Sequence, residues 1–277
     1  MSSFYDLLGR SCETRNSLVC VGLDPDLRKL PESVRREKKP IYEFNRQIVD
    51  ATATFAAAFK PQIAYYSAIG AEDQLEQTIV YIKSRYPDIP IILDAKRGDI
   101  GSTADMYAIE AFDRYMADAV TVNPYMGGDT LEPFTKYANK GVIVLCRTSN
   151  PGSGDLQELE CSGEKLYKTV ARLASTVWNT NNNVGLVVGA TYPEVLGDVR
   201  AIVGDMPLLV PGVGAQGGDL EKVLDVGLDE GQCGLLVNVS RSVIYASSGD
   251  DFAEAASKQA GFLCGQINDF RKSAVIN

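Results

Sequence analysis

The stretch Ile92-Leu93-Asp94-Ala95-Lys96-Arg97-Gly98-Asp99 ends an apolar run with two carboxylates and an ammonium in close succession. Residues two apart on a strand project from the same face, so Asp94 and Lys96 are expected to enter one space together. Lys60, after Ala58-Phe59, is expected to reach that space from a neighbouring strand. An arbitrary Asp-x-Lys is most simply a salt bridge. Two lysines and two aspartates converging away from solvent are another matter, because desolvation costs several kcal/mol per ion unless the charges are closely paired. That cost favours a chemical role. Any acid–base step there would use these carboxyl and ammonium groups themselves.

The 277 residues include no histidine, which excludes imidazole general bases, Ser-His-Asp hydrolysis and histidine-ligated metals. Acid–base work falls to Asp, Glu, Lys, Tyr or Cys. Lys+Arg 27 against Asp+Glu 36 gives a net charge of −9, the opposite of a nucleic-acid or anionic-membrane footprint. An anionic substrate must therefore be held by local groups. Cys12, Cys20, Cys146, Cys161, Cys233 and Cys264 form no CxxC or close pair, the pattern of free thiols in a reducing compartment. The N-terminal residues lack the apolar core of a signal peptide, and no apolar run approaches membrane-spanning length. A cytoplasmic protein is expected.

Eight short apolar runs, at 18–24, 58–62, 90–96, 119–123, 141–148, 184–190, 207–213 and 234–240, read as strands. Amphipathic segments at 42–55, 71–86, 103–116, 165–178, 193–203 and 251–272 separate them. Near-continuous apolar strands alternating with helices predict a parallel sheet covered by helices. Eight such units in a chain near the ~250 residues typical of the fold point to a (β/α)8 barrel rather than an open sheet. One domain over 1–277 is expected, with an extra N-terminal helix at 2–14. The charged stretch 28–39 reads as a solvated loop, the Asn-Thr-Asn-Asn-Asn run at 179–183 as a turn, and the sequon at Asn238 as irrelevant within a buried strand.

Such barrels carry their chemistry at the C-terminal ends of the strands. That filter selects Asp24, Lys60, Asp94, Lys96, Asn123, Thr148 and Ser149. After the seventh run, Gly212-Val213-Gly214-Ala215-Gln216-Gly217 formally satisfies a dinucleotide fingerprint. Only about sixty residues follow it, too few for two βαβ halves. Gly214 and Gly217 instead offer backbone N–H groups where these barrels hold a phosphate, and Arg241 after the eighth run adds a planar fork for phosphate oxygens. The polar loop 148–155 could hydrogen-bond a flat ring and close over it.

Asp94-Ala95-Lys96-Arg97-Gly98-Asp99-Ile100, with Lys60 upstream and the glycine loop and Arg241 downstream, resembles the orotidine 5′-monophosphate decarboxylase family. The resemblance runs from the first strand through the eighth. Asn123-Pro124-Tyr125-Met126-Gly127 and Thr148-Ser149-Asn150-Pro151-Gly152 look like the longer bacterial and protozoan-type members. It implies a (β/α)8 homodimer without metal or cofactor that converts orotidine 5′-monophosphate to UMP, the last step of pyrimidine synthesis. By the same resemblance the catalytic array is Lys60, Asp94 and Lys96, with Asp99 contributed across the dimer interface. Thr103, also across the interface, and Asp24 would contact the ribose, Ser149 or Thr148 the pyrimidine, and Gln216 and Arg241 the phosphate. Asn123 belongs with the expected substrate contacts. Ser240-Arg241 departs from the Gly-Arg of many members but keeps the arginine.

Three other readings compete. Hexulose phosphate synthases and ketogulonate phosphate decarboxylases share D-x-K-x-x-D but hold magnesium with an acidic residue at the position of Lys60, where an ammonium would repel it. A Schiff-base aldolase would also use a strand lysine beside an aspartate. A non-enzymatic phospho-ligand binding barrel leaves four alternating charges unexplained.

Overall fold

Eight parallel strands form one sheet: β1 Val19–Leu23, β2 Ala56–Pro61, β3 Ile92–Arg97, β4 Ala119–Val122, β5 Gly141–Arg147, β6 Val184–Val188, β7 Leu208–Pro211 and β8 Leu235–Val239. The computed structural model describes residues 3–214 and 218–276, with side chains as far as Ser273. The strands lie in the order β2-β1-β8-β7-β6-β5-β4-β3. Bridges from Phe59 to Ile91 and from Gln62 to Asp94 join the two ends of that order. There the Phe59 N–H donates to the Pro90 carbonyl at 3.1 Å and the Ile63 N–H to the Asp94 carbonyl at 3.2 Å. The sheet is thus the expected (β/α)8 barrel.

The longer helices are α1 Phe4–Arg15, α2 Pro40–Thr52, α3 Glu72–Arg85, α4 Gly101–Ile109, α5 Leu166–Thr176, α6 Pro193–Val203, α7 Leu220–Gly227 and α8 Phe252–Ile276. The β4-to-β5 connection has only the short turns Gly128–Thr130 and Glu132–Thr135 in place of a long helix. Among the described residues no helix is long and apolar enough to cross a membrane.

Strand alternation divides each strand between the helical layer and the barrel interior. Cys20, Ala58, Ile92, Ala119, Ile143, Leu209 and Leu236 pack together inside as one apolar layer. Two residues further along the same strands stand Gly22, Lys60, Asp94, Thr121, Leu145, Pro211 and Asn238. The interior therefore turns polar toward the C-terminal mouth.

Helix α1 closes the opposite mouth. Ser3 caps it reciprocally with Asp6, and Asn16, in the left-handed region at φ 43°, stops it. Phe4 and Leu8 bury themselves in the apolar interior layer, and Ser11 Oγ donates to the Ala57 carbonyl at 2.8 Å. A Cβ at Gly141 would lie 2.4 Å from the Phe4 ring, so glycine there is what lets the ring seat.

Two local expectations need correction. The charged stretch is not wholly a loop. It holds a 3-10 turn Leu27–Lys29 and one helical turn Glu32–Arg35, because Leu30 and Val34 anchor it in the core while its charges face outward. The 179–183 run is more than a turn. Asn179 Oδ1 accepts from the N–H groups of Asn183 and Val184, and the buried Asn183 amide donates to the carbonyls of Thr135, Tyr137 and Lys140. This pins the chain that enters β5 against the one that enters β6.

Candidate active site

At the C-terminal mouth, β3 abandons regular pairing with β4. Leu93 pairs with Val120 but Arg97 with Val122, so residues 94–96 bulge out of register. Thr121 Oγ1 fills the gap, accepting from the N–H groups of Ala95 at 3.0 Å and Lys96 at 2.9 Å and donating to Asp94 Oδ1 at 2.9 Å. Lys96 is left with φ 47°, a left-handed conformation that costs a non-glycine residue on the order of 1–3 kcal/mol. Simple strand alternation is therefore not what aims Asp94 and Lys96; the bulge and Thr121 are.

Asp94 bridges the two lysines. Its Oδ2 accepts from Lys60 Nζ at 2.9 Å and its Oδ1 from Lys96 Nζ at 2.6 Å. The Lys60 side chain is only 4% exposed, whereas that of Lys96 is 45% exposed. One ammonium is locked in the wall and the other is presented to the cleft.

Burial alone would push the Asp94 carboxyl up, but the ammonium groups of Lys60 and Lys96 override it and hold the carboxyl well below the usual range. Burial would likewise push Lys60 down, and the charges of Asp94 and then Asp24 carry it above the usual lysine range. The signs follow by linkage. A depressed Asp94 adds stability that is present above about pH 4 and lost as pH falls through its folded value. A raised Lys60 adds stability that is present below about pH 10 and lost as pH rises through its folded value. Both groups are charged at neutral pH.

A cleft of about 480 Å³ opens over this array, within the size range of small-molecule sites. Lys60, Asp94 and Lys96 line one side, and Thr148, Ser149 and Gln157 come from the loop after β5. Leu145, Val187, Leu209 and Pro211 give it an apolar floor suited to a flat ring. At the end of β1, the buried Oδ1 of Asp24 has no hydrogen-bond partner among the described residues and can accept from a ligand hydroxyl. A smaller cleft of about 280 Å³ beside α1 has none of these paired charges.

The β5 loop owes its position to close packing. A Cβ at Gly189 would lie 2.8 Å from both the backbone N and the Cβ of Ser149. Gly189→Ala should therefore displace Ser149 and cost ~1–3 kcal/mol of stability by overpacking. Thermal unfolding reads the stability loss, and a raised KM reads the displacement.

Beyond β7, Gly212 and Gly214 take φ 101° and 70°, which suits glycine. The Gly214 N–H donates to the Gly218 carbonyl and the Gly218 N–H to the Gly212 carbonyl, forming a tight loop. Gln216 and Gly217 lie outside the described residues. Arg241 opens the short turn Arg241–Ile244 after β8 and is exposed, with no ion-pair partner among the described residues.

Residues 17–258 match the family model described as Orotidine 5'-phosphate decarboxylase / HUMPS family. The chain belongs to this family. It is 56% identical over 268 residues to the orotidine 5'-phosphate decarboxylase of Ralstonia pickettii (strain 12J), covering 97% of this chain and 99% of the relative. The solved OMP decarboxylase of Leishmania donovani is 42% identical with a TM-score of 0.83, covering 97% of this chain and 98% of that one. The UMP synthase of Leishmania donovani is 43% identical with a TM-score of 0.86. That match covers 98% of this chain and 57% of the synthase. The resemblance carried by Asp94 through Ile100 is thus borne out at the level of family and fold.

Within this decarboxylase/HUMPS family chain, some expected residues stand apart from the cleft. Asp99 is half-buried and its Oδ1 accepts from the next residue's N–H, that of Ile100, at 2.8 Å. Thr103 is exposed on α4, and Asn123 is exposed with its Oδ1 accepting from the Tyr125 N–H. Lys60, Asp94, Lys96, Thr148 and Ser149 do converge. Sequence reading missed Thr121, although it sits two residues before Asn123 on the same strand face. It also missed Gln157, whose Oε1 accepts the Thr148 N–H at 2.9 Å, because a glutamine in a polar loop carries no local signal.

Proposed function

We propose that this chain decarboxylates orotidine 5′-monophosphate to UMP, and that Lys96 supplies the proton. The observation that carries the reading is the Lys60-Asp94-Lys96 array at the cleft, with the buried lysine fixed and the exposed one presented. Heterolysis of the bond between C6 and the carboxylate releases CO2 and leaves the electron pair on C6, in the ring plane with little π delocalisation. In this mechanism the Lys96 ammonium, exposed to the cleft, lies beside that charge and lowers its energy. A C6–H bond then forms as an N–H bond of Lys96 breaks, and the neutral amine regains a proton from solvent. Asp94 holds both lysines charged and oriented, and its own charge disfavours the substrate carboxylate placed beside it.

The remaining assignments follow the family resemblance. Asp24 accepts from a ribose hydroxyl, Thr148 and Ser149 face the pyrimidine, and the Gly214 loop with Gln216, Gly217 and Arg241 takes the phosphate. Asn123 completes the substrate contacts. Binding energy gathered at the phosphate, remote from C6, can drive closure of the β5 loop and expel water. No metal or cofactor is assigned, since the Lys60 ammonium stands where a magnesium-holding barrel would need a carboxylate.

A homodimer completes the site in this reading. Ile100, Met106 and Ile109 are exposed near Asp99 and Thr103 in the chain, Tyr125 and Met126 are exposed as well, and Met126 lies beside Gly98; exposed apolar side chains gathered in this way favour a partner surface. A second copy over this surface would carry Asp99 and Thr103 to the neighbouring cleft. Mixing inactive Lys96→Ala with inactive Asp99→Asn protein under subunit exchange should therefore restore about a quarter of wild-type activity, because half of the random dimers regain one intact site of two. No recovery would contradict a shared site. The six free cysteines support a cytoplasmic enzyme.

The overall test is incubation of purified protein with orotidine 5′-monophosphate in excess EDTA. UMP is expected to form; folded protein that forms none overturns the reading.

A further inference from the structure

Arg147, the last residue of β5, is only 2% exposed although it carries a charge at the mouth of the barrel. The register between β5 and β6 shifts at this point: Leu145 pairs with Val187, but Arg147 pairs with Val188. The extra residue re-aims Arg147 away from the cleft side, where Leu145 points, to the helix-facing side of Val188. There the guanidinium reaches four groups. Nη1 donates to the Thr148 carbonyl at 2.9 Å and to Ser153 Oγ, and Nη2 donates to Glu158 Oε1 at 2.6 Å. The guanidinium carbon lies 4.8 Å from the centre of the Tyr192 ring, just before α6.

These contacts bind both ends of the loop that faces the cleft. Thr148 begins it, and Glu158 follows Gln157, whose side chain clasps the Thr148 N–H and hydroxyl. The Glu158 carboxyl is held below its usual range by the Arg147 hydrogen bond, so the pair is ionised at neutral pH. We propose that Arg147 is a positioning residue: it touches no ligand, but it braces the loop from behind so that Thr148, Ser149 and Gln157 meet the base of the substrate. This rests on the reading of the cleft as a pyrimidine nucleotide site.

The test separates base contacts from phosphate contacts. Wild type, Arg147→Met and Glu158→Gln are compared in kcat and KM for orotidine 5′-monophosphate and in inhibition by ribose 5-phosphate, which lacks the base. Arg147→Met is expected to lose about 100-fold in kcat/KM, as a misplaced loop of about 1 Å would cause. Its inhibition constant for ribose 5-phosphate should stay within about twofold of wild type, and Glu158→Gln should follow the same pattern at about tenfold. Equal weakening toward both ligands would mark a merely structural role and overturn the proposal, as would unchanged kinetics in both variants. If Arg147→Met fails to fold, Glu158→Gln decides alone. A wild type that makes no UMP would instead remove the decarboxylase reading itself.

Discussion

Lys96→Ala should lower kcat/KM for orotidine 5′-monophosphate by about 10⁵-fold, because the proposed mechanism makes one side chain both the cation beside the developing carbanion and the proton donor. The two roles are separately worth about 10²–10³ and 10²–10⁴. The protein should survive the change. Asp94 keeps its bonds to Lys60 and Thr121, and the lost partner was half exposed, so unfolding free energy should fall by only ~1–2 kcal/mol. Binding of UMP should change only a few-fold, since the phosphate and ribose contacts are untouched. Steady-state kinetics, UMP titration and thermal unfolding on one preparation distinguish this from general damage.

Asp94→Asn should damage both activity and stability. The amide is isosteric and can still meet Thr121, yet Lys60 loses the strongest of the charges that offset its burial. Stranding an ammonium in this wall should cost ~3–5 kcal/mol. The pH dependence should also reverse. In the wild type Lys60 lies above its unfolded value, so its contribution is lost only as alkaline pH passes the folded value. In the variant, burial takes over and drives Lys60 below about 10.4, so the unfolded chain binds more protons between the two values and stability rises with pH there. Unfolding midpoints from pH 6 to 10 check this: a variant whose stability is flat or falls with pH would show that Asp94 is not what keeps Lys60 charged.

Much of the barrel was legible in the chain because parallel strands buried on both faces leave near-continuous Val, Ile and Leu runs, and all eight runs overlap observed strands. Lys60, Asp94 and Lys96 were legible for the complementary reason, as charges ending apolar runs. What escaped was set by tertiary contacts. The bulge in β3 is invisible locally, since nothing in Asp94-Ala95-Lys96 announces that Thr121 will satisfy two of its N–H groups. Arg147 sat inside an apparently ordinary strand, and only the register shift against β6 turns it outward. Asp99 and Thr103 mark a different boundary: the single chain leaves them outside the cleft lining, and the spacing of one chain carries no information about a second copy.

In the proposed mechanism Lys96 exchanges a proton with C6 of a carbanion. By microscopic reversibility the same lysine must remove the C6 proton of bound UMP, so UMP incubated with the protein in D2O is the most direct measurement. Proton NMR should show deuterium entering C6 with the wild type and not with Lys96→Ala. Exchange that persists at the wild-type rate in Lys96→Ala would contradict the assignment of the proton donor.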